Sequence, residues 1–395
     1  MKNKLLHTPE GVRDVYGEEY ASKVRLQEQL LSRFHLYGYE DIQTPTFEYF
    51  DIFSSNIGTI PSNELFKFFD KEGNTLVLRP DFTPSIARCV AKYYMDETMP
   101  IRFCYLGNTF TNVSDLQGRL KESTQIGVEL INEEGVEADA EMIALMIESL
   151  KCTGLSDFQI TIGNVEFFKG LCEECGIDPE TEMDLRDYIS NKNYFGAQSI
   201  LEAAKIKDDV QQKILKVTEL FGSFEKITEA RSIAANERSK SAIGRLEKIH
   251  EILRAQQMEQ YLTYDLGMLS KYHYYTGVIF KAYTYGSGDA IIKGGRYDNL
   301  LSEFGKDASA IGFAVVVDDL YVTLRRQDLL QEVNAKDKEA VLLLYEKGHE
   351  NAAYEKAALL RNGEQKTVLL CKEPSKTEQD YRSYANHFGY SIEEI

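Results

Sequence analysis

The sequence has little of three things: cysteine, long apolar runs and positive charge. Six cysteines are scattered through 395 residues, and no apolar run approaches the ~20 residues that cross a bilayer. Lys and Arg number 45 against 63 Asp and Glu, which gives a formal net charge of −18. This balance disfavours non-specific binding of nucleic acid, because such binding depends on neutralising phosphates with basic side chains. The first residues also lack the apolar stretch of a signal peptide, so we expect a cytoplasmic protein.

One cysteine pair has a spacing found in metal and redox motifs. Cys172 and Cys175 form a CxxC, but no second pair and no nearby histidine completes a set of metal ligands. The alternative is that both cysteines lie on one face of a helical turn. We favour the helical interpretation and predict no metal site.

The rest of the composition is ordinary for a globular protein, with 43% hydrophobic and 27% charged residues. Apolar residues at helical spacing predict a helix over residues 21–37. Residues 105–110 and 124–131 read as the two arms of a hairpin. A predominantly helical stretch at about 165–257 interrupts a region rich in strands, and it predicts a helical insertion.

The chain is long enough for two or three domains. We predict a first domain over residues 1–330, which includes the helical insertion, and a polar linker over 331–338. Residues 339–395 contain two apolar strands joined by a helix, a pattern typical of a small parallel α/β domain. The predicted class is therefore α+β.

The second arm of the hairpin carries a row of polar side chains. Side chains alternate between the two faces of a strand, so Gln125, Gly127 and Glu129 share one face while residues 126, 128 and 130 share the apolar face. An amide, a gap and a carboxylate in a row suit a small polar ligand. The alternative is an ordinary strand face exposed to solvent.

The hairpin and four other segments resemble one family. Residues 100–131 resemble the second signature motif of class II aminoacyl-tRNA synthetases in its histidyl form. Residues 78–83, 272–277, 292–300 and 312–320 resemble further motifs of the histidyl family, in the family's order. The helix over residues 21–37 and the extended stretch over 39–48 resemble the first class II motif. The resemblance implies an antiparallel sheet flanked by helices, and a dimer built through that first motif.

The resemblance also implies a pocket for histidine. In the family, the position of Glu129 recognises the imidazole, and the positions of Gln125, Asp81 and Thr83 hold the amino group. Asp81 is shorter than the family's glutamate, and Phe82 replaces a glycine. Tyrosines and glycines at motif positions would complete the pocket: Tyr274, Tyr275 and Tyr297 as side chains, with Gly127, Gly294 and Gly295 as backbone.

The arginines with which the family holds ATP are absent. Thr111, Ser270 and Asp319 stand at the three arginine positions, and Arg119 is retained in the hairpin loop. Two unit charges ~4 Å apart interact by about 4 kcal/mol at an effective dielectric of 20. An aspartate in place of an arginine would therefore weaken phosphate binding by orders of magnitude, and we expect no adenylation of histidine.

A histidine pocket without adenylation chemistry resembles the histidyl-tRNA-synthetase-like regulatory subunits of ATP phosphoribosyltransferase. The resemblance implies a non-catalytic subunit with no cofactor and no tRNA partner. It further implies a partner, the short-form catalytic subunit, in a hetero-oligomer that is octameric in the family. L-histidine would be the feedback effector of the first step of histidine biosynthesis.

Two other functions remain open from the sequence. A divergent histidyl-tRNA synthetase would need phosphate ligands, for which Arg79, Arg102 and Arg296 are candidates, although each is as well explained by a structural ion pair. A free-standing histidine-binding regulator of another enzyme would keep the same pocket.

Overall fold

The computed structural model describes residues 6–53, 60–113, 120–269, 275–330 and 340–395. The chain divides into two compact units, residues 1–330 and 331–395. Twelve strands belong to the described part of the first unit: β1 (Glu40–Asp41), β2 (Phe47–Tyr49), β3 (Lys67–Phe69), β4 (Thr75–Leu78), β5 (Ile101–Phe110), β6 (Glu122–Ile131), β7 (Phe158–Asn164), β8 (Phe221–Gly222), β9 (Leu262–Asp265), β10 (Val278–Thr284), β11 (Ile292–Arg296) and β12 (Ala310–Val316).

Nine of these strands form one sheet, in the order β1-β5-β6-β12-β11-β10-β7-β9-β8. All neighbours are antiparallel except the pairs β1–β5 and β7–β9, which are parallel. The hairpin arms β5 and β6 pair along their whole length, from Ile101 opposite Ile131 to Phe110 opposite Glu122. A separate sheet of three strands has the order β2-β4-β3.

The helices of the first unit lie before, between and after these strands. They are α1 (Gly17–Leu36), α2 (Thr83–Tyr93), α3 (Val136–Cys152), α4 (Val165–Glu174), α5 (Pro179–Ser190), α6 (Tyr194–Ala203), α7 (Asp208–Leu215), α8 (Glu225–Ile233), α9 (Glu237–Ala255) and α10 (Val317–Arg326). The mixture of a mostly antiparallel sheet with helices confirms the predicted α+β class. Where the described residues form helices, none combines the length and apolar character of a bilayer-crossing segment.

Helix α1 shows how the sequence builds these elements. Leu26, Leu30 and Phe34 follow one another at helical spacing and are buried against the sheet. Phe34 meets the ring of Phe313 of β12 edge to face, with 5.8 Å between centroids. The helix begins four residues earlier than predicted and ends one residue before Tyr37.

Helices α4 to α9 occupy the stretch where the sequence predicts a helical insertion, between β7 and β9. Their buried side chains join the same apolar core as α1, α3 and one face of the large sheet. The insertion is therefore packed into the core of the first unit. The opposite face of the sheet, here called the site face, carries Glu129, Gly312, Gly295 and Ile279 in one row across β6, β12, β11 and β10.

The second unit has three parallel strands in the order β14-β13-β15. Its elements are β13 (Ala340–Tyr345), α11 (Glu350–Asn362), β14 (Thr367–Cys371), α12 (Glu378–Phe388) and β15 (Tyr390–Glu394). Apolar residues on the two faces of β13 belong to two different small cores, one with α11 and one with α12. The sequence predicts the first strand, helix and strand, but it misses α12 and β15.

Candidate functional site

Glu129 lies in the middle of β6 and is only 1% exposed. Its Oε1 accepts a hydrogen bond of 2.6 Å from the Thr83 hydroxyl, and its Oε2 accepts one from the Tyr297 hydroxyl. Gly312 is directly opposite, and a Cβ at that position would lie 1.8 Å from Oε2. The alternative of a solvent-exposed strand face is therefore wrong at Glu129.

The electrostatics of the pocket follow from this burial. Burial raises the pKa of the Glu129 carboxyl to about 8, the Thr83 and Tyr297 hydroxyls oppose the shift, and the Asp81 carboxylate adds to it. Burial, followed by these same two carboxylates, also raises the pKa of Tyr275. A positively charged or hydrogen-donating ligand would relieve the repulsion between Asp81 and Glu129.

Asp81 and Thr83 meet at the start of α2. The Asp81 carboxylate accepts a hydrogen bond of 3.3 Å from the backbone N–H of Thr83, so both side chains are held at the same end of the helix. Thr83 is buried and Asp81 is partly exposed. Together with Glu129 they present acceptor oxygens from two elements, α2 and β6.

Phe82, which stands where the family has a glycine, fills space next to this pair. Its ring stacks on Tyr105, with 4.3 Å between centroids, and the Arg79 guanidinium lies 3.9 Å above the Phe82 ring. Tyr105 pairs with Gly127, and a Cβ on Gly127 would lie 2.4 Å from the Tyr105 hydroxyl oxygen. The gap at Gly127 is therefore occupied by the Tyr105 side chain, and the expectation that a ligand sits directly over Gly127 is wrong. The sequence analysis missed Tyr105, although it lies in the first arm of the predicted hairpin.

Gln125 brings a further acceptor to the same face. Its side-chain oxygen Oε1 is buried and has no hydrogen-bond partner in the described structure. A buried amide oxygen left without a donor costs free energy of about 1–3 kcal/mol. A ligand N–H group at this point would remove that cost.

Tyr275 and the glycine strand form the other wall. The Tyr275 ring lies over Gly295, where a Cβ would come 2.7 Å from a ring carbon. Gly294 is predicted to line the histidine pocket, but it faces the core side of the sheet. A Cβ there would meet the Phe280 ring at 2.5 Å. Gly294 therefore makes room for core packing. Tyr274 lies outside the described residues.

The residues at the described positions of the missing arginines carry no positive charge that could bind a phosphate. Asp319 is exposed at the start of α10, and the neighbouring Asp318 is buried and pairs with Lys23 of α1 at 2.7 Å. Thr111 follows the end of β5. The Ser270 and Arg119 positions lie outside the described residues.

The three other candidate phosphate ligands have structural partners. Arg79 donates hydrogen bonds to backbone carbonyls of neighbouring segments. Arg102 pairs with Glu141, with one hydrogen bond of 2.9 Å, and Arg296 pairs with the buried Asp139 at 2.8 Å. Structural contacts therefore account for all three arginines. For Arg79 these contacts are hydrogen bonds to backbone carbonyls, whereas an ion pair is expected from the sequence.

Of the two cysteines in the CxxC, Cys172 is buried and Cys175 is partly exposed. Cys172 is in the last turns of α4 and Cys175 directly follows the helix, and burial raises the pKa of both thiols. A different group, His35, Asp41 and Cys104, brings three potential ligand atoms within 4.8 Å. Burial raises the pKa of Cys104 to about 12, so its thiolate is disfavoured.

Comparison with known proteins gives one consistent result. The model of the histidyl-tRNA synthetase family matches residues 11–320. The ATP phosphoribosyltransferase regulatory subunit of Acetivibrio thermocellus is 40% identical over 356 residues, which cover 90% of this chain and 84% of that protein. The protein of the same name from Clostridium kluyveri is 36% identical, over 98% of both chains.

Solved structures agree with these sequences. A Bacillus halodurans structure described as an ATP phosphoribosyltransferase regulatory subunit/histidyl-tRNA synthetase aligns with a TM-score of 0.85 and 32% identity, over 100% of this chain and 98% of that one. The histidyl-tRNA synthetase of Nostoc sp. aligns with a TM-score of 0.78 at 19% identity, over 97% of this chain and 90% of that chain. The latter likeness concerns the fold alone.

Proposed function

The chain belongs to the family of ATP phosphoribosyltransferase regulatory subunits, which share the histidyl-tRNA synthetase fold, and from this we propose that it senses L-histidine in the Glu129 pocket. Its partner would be the short-form catalytic subunit, which it activates and through which histidine inhibits the first step of histidine biosynthesis. The observation that carries the proposal is the buried Glu129 carboxyl, which is held between two hydroxyls and shares its strand face with the unpartnered Oε1 of Gln125.

Histidine carries hydrogen-bond donors that match the acceptor oxygens of this pocket. Its imidazole N–H would donate to Glu129, and its ammonium group would donate to Asp81, to the Thr83 oxygen and to the free Oε1 of Gln125. The Tyr275 ring supplies a flat wall for the imidazole. Each acceptor is then matched by a donor, which is the condition for binding a charged ligand in a buried site.

Adenylation is excluded from the proposal by charge. A transferring phosphoryl group needs cations or metal ions around its oxygens, whereas Asp318 and Asp319 stand where α10 begins and Thr111 follows β5. The protein would therefore act without catalysing a reaction itself. Its six free cysteines agree with the reducing cytoplasm as its location.

Regulation would consist of coupling between the pocket and the catalytic subunit. Such coupling is typically ~1–3 kcal/mol and must be reciprocal. Substrates of the catalytic subunit should therefore change the affinity of this chain for histidine by about 5- to 150-fold.

Calorimetric titration of the full chain with L-histidine tests the pocket. Glu129→Gln should weaken binding by at least about tenfold, because a hydrogen bond to a charged partner is worth about 1.5–3 kcal/mol. Glu122→Gln, on the same strand, is the matched control and should bind as the parent protein does. Equal affinities of all three proteins would refute the assignment of the pocket.

The synthetase alternative is tested with ATP. We expect no heat on titration with ATP–Mg and no exchange of pyrophosphate into ATP in the presence of histidine. Exchange that depends on histidine would mean that this chain is a divergent synthetase.

A further inference from the structure

A second cavity lies on the site face of the large sheet, farther along β10, β7 and β9. Its volume is about 390 Å³, which is within the range of small-molecule sites. None of its lining residues belongs to the predicted histidine pocket. They are Gln159, Thr161, Ser190, Phe221, Thr263, Asp265, Met268, Lys281 and Tyr283.

Strand register places two hydrogen-bond donors side by side on the floor of this cavity. Lys281 of β10 is directly opposite Thr161 of β7, which in turn is opposite Thr263 of β9. The Thr263 hydroxyl is already used, since it donates to Gln159 at 2.7 Å. The side chains of Lys281 and Thr161 make no hydrogen bond or ion pair with the described residues, although Thr161 is only 7% exposed.

The ammonium of Lys281 also makes no direct ion pair with a described carboxylate. The nearby carboxylate of Asp265 is engaged by Lys192 at 2.5 Å. Lys293, opposite Lys281 on β11, is engaged by Asp289 at 2.7 Å. Burial and the neighbouring charge of Lys293 lower the pKa of Lys281, and the carboxylates of Asp289 and Asp265 oppose this shift in part. A partly buried ammonium without a counter-ion is unfavourable, and a bound anion would remove that cost.

We propose that this cavity is a binding site for a small molecule that carries an oxyanion, held by the Lys281 ammonium and the Thr161 hydroxyl. An ammonium and a hydroxyl next to each other match the acceptor oxygens of a phosphate or a carboxylate. Met268 and Phe221 give the site an apolar wall for the rest of the ligand. Met268 also belongs to a small apolar cluster with Ile279, against which Tyr275 of the predicted histidine pocket packs.

The test is the titration of the full chain, without histidine, with inorganic phosphate and in parallel with acetate. The linewidths of the phosphorus and carbon-13 resonances report binding of each anion. We expect saturable broadening with at least one of them. Phosphate alone would identify a phosphate-bearing ligand, and acetate alone would identify a carboxylate-bearing one.

Two variants decide whether Lys281 is responsible. Lys281→Met should weaken binding of the anion at least about tenfold. Lys240→Met, which removes an exposed lysine that is paired with Glu237 on α9 and does not line the cavity, should leave it unchanged. If Lys281→Met does not fold, Thr161→Val replaces it, and we expect a loss of several-fold in affinity. Absence of saturable broadening with both anions, or unchanged binding in the Lys281 or Thr161 variant, would overturn the proposal.

Discussion

Glu129 accepts hydrogen bonds from two hydroxyls inside the core, and the arrangement depends on one residue that has no side chain. The sequence predicts the row of Gln125 and Glu129 because strand alternation is readable from spacing. It does not predict that Gly312 makes room for the carboxylate or that Tyr105 covers Gly127. Both contacts depend on which strands pair and in which register, and one chain's spacing does not contain that information.

Ionisation of Glu129 should make the stability of the empty protein depend on pH. Its pKa is about 8 in the folded chain, against about 4.3 for an unperturbed glutamate. The folded state therefore holds a proton that the unfolded state has lost, so stability falls as the pH rises from about 4.5 to 8. Glu129→Gln removes this loss and should be more stable than the parent at pH 8, by on the order of 2–4 kcal/mol. At pH 4.5 the two should be nearly equal.

Urea unfolding at several pH values, without histidine, measures that difference. Glu122→Gln serves as the control for replacing a carboxyl by an amide on the same strand. A difference between Glu129→Gln and the parent that does not grow with pH would contradict the raised pKa.

Gly312→Ala tests the room that Glu129 needs. The new methyl group would occupy the place of Oε2, so we expect stability to fall by about 1–3 kcal/mol and histidine affinity to fall at least tenfold. Gly244→Ala is the matched control, because a Cβ there meets nothing closer than 4.0 Å in the middle of α9. That change should stabilise the protein by about 0.5–1 kcal/mol, since alanine is the better helix former. Chemical denaturation and calorimetry measure the two effects, and a Gly312→Ala variant that binds histidine normally would contradict the geometry.

At the scale of elements, a buried charge cluster ties the helical insertion to the strand of the pocket. Asp139 of α3 is fully buried and pairs with Arg296 of β11, while Arg245 of α9 donates to the same carboxylate. Arg296 stands between Gly295 and Tyr297 in the chain. The position of the pocket strand is therefore fixed by two helices on the core side of the sheet.

The elements differ in how well the sequence predicts them. Strong apolar periodicity predicts α1, and the hairpin of β5 and β6 is predicted with shorter arms than it has. In the second unit, α12 and β15 escape prediction because most of their side chains are polar and exposed. Only Tyr381 and Ala385 of α12 are buried, and β15 is exposed over Ser391–Glu394.

Asp139→Asn should destabilise the protein by about 3 kcal/mol or more. The change leaves two arginines, one of them buried, facing a neutral amide, and breaking a buried ion pair from one side has such a cost. Asp289→Asn breaks an exposed pair with Lys293 and should change stability by less than about 1 kcal/mol. Unfolding in guanidinium measures the stability of both variants. Equal destabilisation would show that the buried charge cluster does not stabilise the contact between β11 and the two helices.

At the scale of the whole molecule, the family fold is retained while the charges required for adenylation are missing. The described first unit holds the acceptor oxygens of the proposed histidine pocket, and the net charge of −18 opposes polyanions. These properties fit a subunit that binds an amino acid and passes the signal to another protein.

The inhibition of the reconstituted ATP phosphoribosyltransferase by histidine tests this account most directly. The catalytic subunit is combined in turn with the parent chain, with Glu129→Gln and with Glu122→Gln, and its rate is measured against histidine concentration. The account predicts that the complexes with the parent and with Glu122→Gln are inhibited alike, and that Glu129→Gln needs at least tenfold more histidine. Equal inhibition of all three complexes would show that the effector acts at a different site.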